Sequence, residues 1–473
     1  MLSRPAAPLY QPGTGPKAVG KPLSVSAATQ PAVADPARKI FFFFGVVVVF
    51  IRVSMVHQIL TQKLGVNTYL LYIFGIPAML GLVSGGGLGR VYKKSPGIWW
   101  SLFALWLLLA VPFSTWRGGA AAVVTTYLRT DLLMLFVVAG LVVVWSSLKG
   151  LMLTIATAGL ANLVSAKFFS QVDGNERMGL AFGTIANPND FAGHLLFVLP
   201  FVLWVVLISR TWVVKALGLL VLAYGMYLVM ASASRGAALG IAAGLIFYLL
   251  ATTQRQRLVM IVLAPVLLIF LLTLLPGRAR ERILSFSTTS ESGSEEAKLS
   301  SISRSYLLRK SIEFTFHRPI FGVGAGQFSG YEGRTSTESG QQASWHETHN
   351  SFTQISSENG IPGLLLYLGG IGSTWLLLKR IHKSARKRPD MNEVAATALC
   401  LRLSMVSFCV AIFFLNFGYF FYLPMLAGLS IALSNVVEAE FENQPLTQAA
   451  PAVRPNHFRA RSTAWAGGIK RFR

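Results

Sequence analysis

LVMIVLAPVLLIFLLTLLP, residues 258–276, has no charged side chain and runs straight into the only long polar segment that lies between hydrophobic stretches. About 20 apolar residues cross the hydrocarbon core of a bilayer, so this run predicts a transmembrane helix. Working outward from it, the same pattern predicts spans near 40–60, 69–84, 97–113, 131–148, 150–166, 190–208, 212–230, 236–252, 361–378, 396–415 and 419–436, twelve in all. Composition agrees: 53% hydrophobic residues, 13% charged residues and a mean hydropathy of +0.55 describe a membrane protein. The expected fold is all-α and polytopic, with about twelve transmembrane helices and one large outer loop bearing helices. The corresponding division is a disordered tail over 1–39, nine spans over 40–276, a large loop over 277–360, three spans over 361–436 and a second tail over 437–473.

Basic residues give the orientation, because loops that stay in the cytoplasm carry an excess of Lys and Arg. With the N-terminus inside, fourteen basic residues fall in inner loops, from Arg90 to Arg388. Six fall in outer ones: Lys63, Arg117, Arg129, Lys167, Arg177 and Arg235. Both tails are then cytoplasmic and the 277–360 loop is outside. The net charge of +23 is placed against anionic headgroups. It does not point to nucleic acid, since no basic soluble domain exists to deliver it. The Pro- and Ala-rich tail 1–39 cannot bury enough apolar surface to order itself, and its length before the first span favours a signal anchor over a cleaved signal peptide. Cys400 and Cys409 sit nine positions apart in one predicted helix, too far to pair at about 1.5 Å rise per residue. No disulfide framework or metal site is indicated.

Candidate chemistry gathers on the outer side. WHETHNSFTQISSENGIPG, residues 345–363, reads as a helix from Trp345 to a stop at Gly360. That helix would put His346, His349, Asn350 and Thr353 on one face. HETH is not the HExxH of zinc proteases, for its histidines are three apart and no third ligand is evident. Either imidazole can instead accept a proton from a hydroxyl at ambient pH, and the residues alone do not choose between them.

In NERMGLAFGTIANPNDFAGH, residues 175–194, Asn187 suits an N-cap, Pro188 the first helical position and Asp190 the N3 position. They either merely cap a span or aim its amide dipoles at an anion, with Arg177 upstream on the same loop. Arg235, in MASASRGAALG at 230–240, follows small residues, either snorkelling to the interface or binding phosphate with its planar fork. Residues 299–317 predict an amphipathic helix on the membrane surface carrying Ile302, Tyr306, Ile312 and Phe316, from which Arg304 could reach the same site. FGVGAGQFSG, residues 321–330, reads as a flexible turn, because no strand precedes its glycines. Ser-rich 285–301 reads as disordered. Arg52 and Arg402 inside spans support a rival reading as a transport pathway, or pair within the bundle.

An arginine upstream of GTIANPNDFA, the SRGA junction, a large late outer loop and HETHNSFTQISSENGIPG closing it together resemble the O-antigen ligase and polymerase superfamily over residues 40–436. The resemblance implies an inverting glycosyltransferase with no metal or other cofactor. It would move a glycan from undecaprenyl pyrophosphate to an acceptor hydroxyl on the outer side of the bacterial inner membrane. Carried over, His349 is the general base and Arg177 and Arg235 clamp the pyrophosphate. Arg304, His346 and Asn350 support substrate binding, and Glu347 is a further supporting residue. The acceptor would be a lipid A core sugar or a second lipid-linked glycan. Transfer to a protein hydroxyl and a non-enzymatic polyprenyl-glycan transporter are the alternatives.

Overall fold

The computed structural model describes residues 36–174, 176–284, 295–340 and 342–442. The protein is an all-α, polytopic membrane protein. In chain order its helices are α1 (Pro36–Ser54), α2 (Val56–Leu64), α3 (Leu70–Ser84), α4 (Gly87–Tyr92), α5 (Ser95–Ala110), α6 (Arg117–Thr126), α7 (Leu133–Leu141) and α8 (Trp145–Phe169). After a hairpin of β1 (Ser170–Val172) and β2 (Met178–Leu180) come α9 (Pro188–Ile208), α10 (Trp212–Ala231), α11 (Arg235–Ala251), α12 (Gln254–Leu274), α13 (Gly277–Leu284) and α14 (Glu295–His317). The last are α15 (Phe328–Glu338), α16 (Ser351–Ala385), α17 (Asn392–Ala411) and α18 (Tyr422–Val437).

Among the described residues nine helical segments are long and apolar enough to cross a bilayer, and the α1–α2 pair, bent by 70°, makes a tenth. The shorter apolar helices α3 and α11 bring the apolar segments to the twelve expected. Their connections sort to two ends. At one end Arg90 bonds the Gly140 carbonyl, Lys94 pairs with Glu438 and Lys149 pairs with Glu393. At the other, Thr115 bonds the Val323 carbonyl, Gln58 meets Thr184 and Thr348 meets Asn416. These contacts put the α4–α5 and α7–α8 connections at one end and the α5–α6, β2–α9 and α17–α18 connections at the other.

Boundaries differ from the sequence expectation in four places. The fourth span covers Arg117–Leu141 instead of 131–148, so Arg117 and Arg129 are helical and Asp131 lies inside the span and not at its start. The charges are tolerated because they are matched: Arg129 lies over the Tyr72 ring, and Asp131 pairs with Arg52 of α1 across the interior. The backbone is π-helical over Tyr127–Leu132, a local widening that delivers Asp131 to its partner. The tenth span begins at Ser351 and breaks at Gly360, whose φ of 72° and approach to the Ile320 carbonyl leave no room for a side chain. Finally, α14 starts at Glu295, inside the Ser-rich stretch read as disordered, and α1 starts at Pro36, inside the first tail. Residues 285–294 and the tails 1–35 and 443–473 lie outside the described residues.

Packing grades from centre to rim. α18 is buried along nearly its whole length, whereas α12 buries only Leu271 and presents its other apolar side chains outward, as a lipid-facing helix does. Between them, α11 meets α17 through Gly240 and Gly244, which face the Ser407 carbonyl and hydroxyl too closely for a Cβ. This is the small-residue contact that lets membrane helices approach each other.

The Arg52–Asp131 pair gives a test of the transport reading. Removing one partner strands a buried charge at a cost of about 3–5 kcal/mol, while replacing both by apolar residues is close to neutral. Arg52→Met alone should lower the thermal unfolding midpoint in detergent, and Arg52→Met with Asp131→Leu should restore both stability and activity. A stable double variant that lacks activity would instead assign the pair to function.

Candidate active site

The hairpin, unanticipated in the sequence, places Arg177. Its strands pair Ser170 with Leu180 and Val172 with Met178, and Asp173 in the turn accepts the Arg177 amide at 2.9 Å. The guanidinium then donates to the Ser232 carbonyl at 3.1 Å and to Asn189 Oδ1 at 2.9 Å. One side chain therefore joins the hairpin, the start of α9 and the α10–α11 junction. Asn187 caps α9 as expected, its side chain accepting the Asn189 amide at 2.9 Å, with Pro188 in the first turn.

Arg235 is the first residue of α11, behind the Ser234 cap. It is half-buried and makes no ion pair among the described residues. Its neighbour Gly236 packs on the Phe414 ring.

The 342–350 segment is not helical, which corrects the expected stripe. Asn350 is the N-cap of α16, its side-chain oxygen accepting the amides of Phe352 and Thr353 at 2.9 and 3.2 Å. Trp345 and His349 take left-handed φ angles of 54° and 51°, uncommon for side chains of this size. The segment is held from outside. The carboxylate of fully buried Glu332 accepts the amides of Ser344 and Trp345 at 3.1 and 2.9 Å. Thr348 donates to Asn416 at 2.8 Å.

A cavity of about 360 Å³ opens where these elements meet. Thr184, Asn187, Asn189 and Asp190 line it from the α9 side, and Trp345, His346, Glu347 and His349 from the loop. Phe414, Leu415, Asn416, Phe417 and Phe420 come from the α17–α18 connection. Both histidines thus reach one cavity, though from an irregular loop. Of the expected binding residues, Arg177 touches its wall through Asn189, while the side-chain oxygen of Asn350 is spent on the helix cap. Arg304, half-buried on α14, acts electrostatically on both Asp190 and His349.

That field and burial set the protonation of the loop. Burial, then the Arg304 guanidinium, then His346 push the His349 imidazole down to about 4, so it is neutral at ambient pH with a lone pair to offer. Burial raises the Glu347 carboxyl above its ordinary range, partly offset by a hydrogen bond from Ser329.

FGVGAGQ, residues 321–327, is a turn, as expected, but a firmly seated one, and the following FSG opens α15. Val323 and Gly324 donate to the carbonyls of Ser357 and Glu358 at 2.9 Å, and Gly326 donates to the Glu358 carboxylate at 2.8 Å. The Glu358 and Glu332 anchors, the cavity-lining role of Asp190 and the contribution of Asn416 escaped the sequence reading. Asn416 did leave a signal, as a polar residue at the break between the last two spans.

Residues 219–368 match the family described as O-antigen ligase. That match supports the O-antigen ligase and polymerase superfamily for this chain, and ligase- or polymerase-type function in general. The matched O-antigen ligase region holds Arg235, Arg304, His346, His349 and Asn350; the hairpin, the NPND turn and Asn416 lie outside it. No curated protein matches the chain.

The electrostatics are directly measurable. In detergent-solubilised protein carrying 15N-histidine, the His349 ring should stay neutral at pH 6 and take up its proton near pH 4. Arg304→Gln removes a positive neighbour and should move that midpoint upward. Titration near 6.5 in the unsubstituted protein would contradict the assigned environment.

Proposed function

We propose that the protein transfers a glycan from undecaprenyl pyrophosphate to an acceptor hydroxyl on the outer face of the bacterial inner membrane, with inversion and without a metal ion. The acceptor oxygen attacks the anomeric carbon, the bond to the pyrophosphate oxygen breaks with its electron pair leaving on undecaprenyl pyrophosphate, and the hydroxyl proton passes to His349. Arg177 and Arg235 clamp the pyrophosphate as its charge grows, with Arg304, His346 and Asn350 supporting the substrates. The acceptor is a lipid A core sugar in a ligase, or a second lipid-linked glycan in a polymerase.

The observation that carries this reading is the neutral imidazole of His349, on a left-handed backbone, lining a cavity at the end of the bundle that also holds Arg177 and Arg235. A base with a pKa near 4 is weak in the free protein, but a bound pyrophosphate places negative charge nearby and raises it. Donor binding thereby activates the base. The arginines suit a leaving pyrophosphate because fixed cations stabilise charge that develops in the transition state. Transport draws less support: Arg52 is paired with Asp131, and Arg402 sits between Phe247 and Trp375, 4.9 and 4.4 Å from their ring centres.

Purified protein given lipid-linked glycan and acceptor, with no gradient, should release undecaprenyl pyrophosphate. His349→Ala should slow this by about 10²- to 10⁴-fold while leaving the protein folded, and His346→Ala should do less. Arg235→Lys should also be impaired, because lysine lacks the planar fork. In a complemented deletion strain, unattached long polymer would mark a ligase, single repeats a polymerase and unmodified protein an oligosaccharyltransferase. Wild-type rates from His349→Ala would remove it as the base.

A further inference from the structure

We propose that Trp345 is a stacking platform for a pyranose ring of the glycan, making the loop side of the cavity a sugar subsite. This deepens the glycosyltransferase reading and rests on it. Four observations converge. Trp345 is 58% exposed and lines the cavity, so its indole is open to a ligand there. Its backbone φ of 54° is an outlier for a bulky residue, and such strain persists only where the surroundings enforce it.

The enforcing group is identifiable. Glu332 is fully buried and spends its carboxylate on the Trp345 and Ser344 amides, the Tyr306 hydroxyl at 2.9 Å and the Ser336 hydroxyl at 3.0 Å. A buried carboxylate is costly to desolvate, and here the return is a fixed loop backbone.

The ring itself is backed by α15. A Cβ built on Gly333 would lie 2.3, 2.4 and 2.5 Å from three contiguous indole atoms, Cδ2, Cε3 and Cε2. Cδ2 is a ring-fusion atom, so a point nearly equidistant from all three lies above the ring plane and not at its edge. One face of the indole is therefore pressed on the α15 backbone, and the exposure that remains belongs to the other face and the rim. A rigid aromatic face beside the amides of Asn187, Asn189 and Asn416 is what a sugar requires. Its C–H face is apolar and gains from leaving water, while its hydroxyls need planar donors and acceptors.

The test uses the full-length protein in lipid nanodiscs. Rates are measured against donor and acceptor concentration separately, alongside saturation-transfer NMR with a soluble, lipid-free oligosaccharide of the repeat unit. Trp345→Ala should raise KM for one glycan by on the order of ten-fold with kcat within about three-fold, the size expected from losing one aromatic contact. Whichever KM responds identifies the ring as belonging to donor or acceptor. Trp345→Tyr should recover most of the loss, and Gly333→Ala, which pushes the indole off its backing, should behave like Trp345→Ala. His349→Ala should lose turnover yet keep saturation transfer to the oligosaccharide, whereas Trp345→Ala should lose the transfer. Unchanged KM for both glycans in Trp345→Ala, or equal loss in Trp345→Tyr, overturns the platform. Turnover retained by His349→Ala with transfer still lost in Trp345→Ala would instead fault the assigned base and leave the subsite standing.

Discussion

The carboxylate of Glu358 accepts the amides of Gly326 and Phe328 and the hydroxyl of Tyr419, in a position with no exposure to solvent. Three pieces of chain distant in sequence are joined there: the glycine turn after α14, the polar start of α16 and the connection into α18. Without that anchor the turn would have no reason to enter the interior, and the loop that carries the histidines would lose its floor. A polar helix segment from Ser351 to Asn359 can be buried in a membrane protein only because its side chains are nearly all engaged in this way. Some of these bonds come from outside the helix, as at Ser351, Gln354, Ser356 and Glu358, and others return to its own carbonyls, as at Thr353 and Ser357.

The arginines follow a related logic. Arg177 has two of its donors committed to protein oxygens, so its charge is held in a fixed place, while Arg235 makes no ion pair among the described residues. Arg177 grips the Ser232 carbonyl, three residues before Arg235 at the start of α11. Arg304 adds its positive field to the burial that lowers the His349 imidazole.

The bundle was legible because hydrophobic length is a property of each segment taken alone. The fourth span was misplaced for the opposite reason: Arg129 looks like a loop residue, and Asp131 like the edge of a span, until Tyr72 and Arg52, more than fifty positions away, are beside them. In the same way His346 and His349 were recognisable as chemistry but not as members of an irregular loop, since the Glu332 and Asn416 contacts that hold it are non-local. Local capping was read correctly at Asn187, where the signal and the structure both lie within three residues. At Asn350 the same cap signal was present in the sequence and was masked by the helical spacing of the histidines around it.

The break at Gly360 frees backbone groups that an unbroken helix would pair internally, and four of them are put to use nearby. Ser357 and Glu358 carbonyls receive Val323 and Gly324, the Asn359 carbonyl receives the Trp106 indole, and the Ile361 amide returns to the Pro319 carbonyl. Main chain of the long loop has in effect become the missing turn of a membrane helix. The Pro319–Gly324 stretch is therefore tied to the span, so opening either one breaks hydrogen bonds of both.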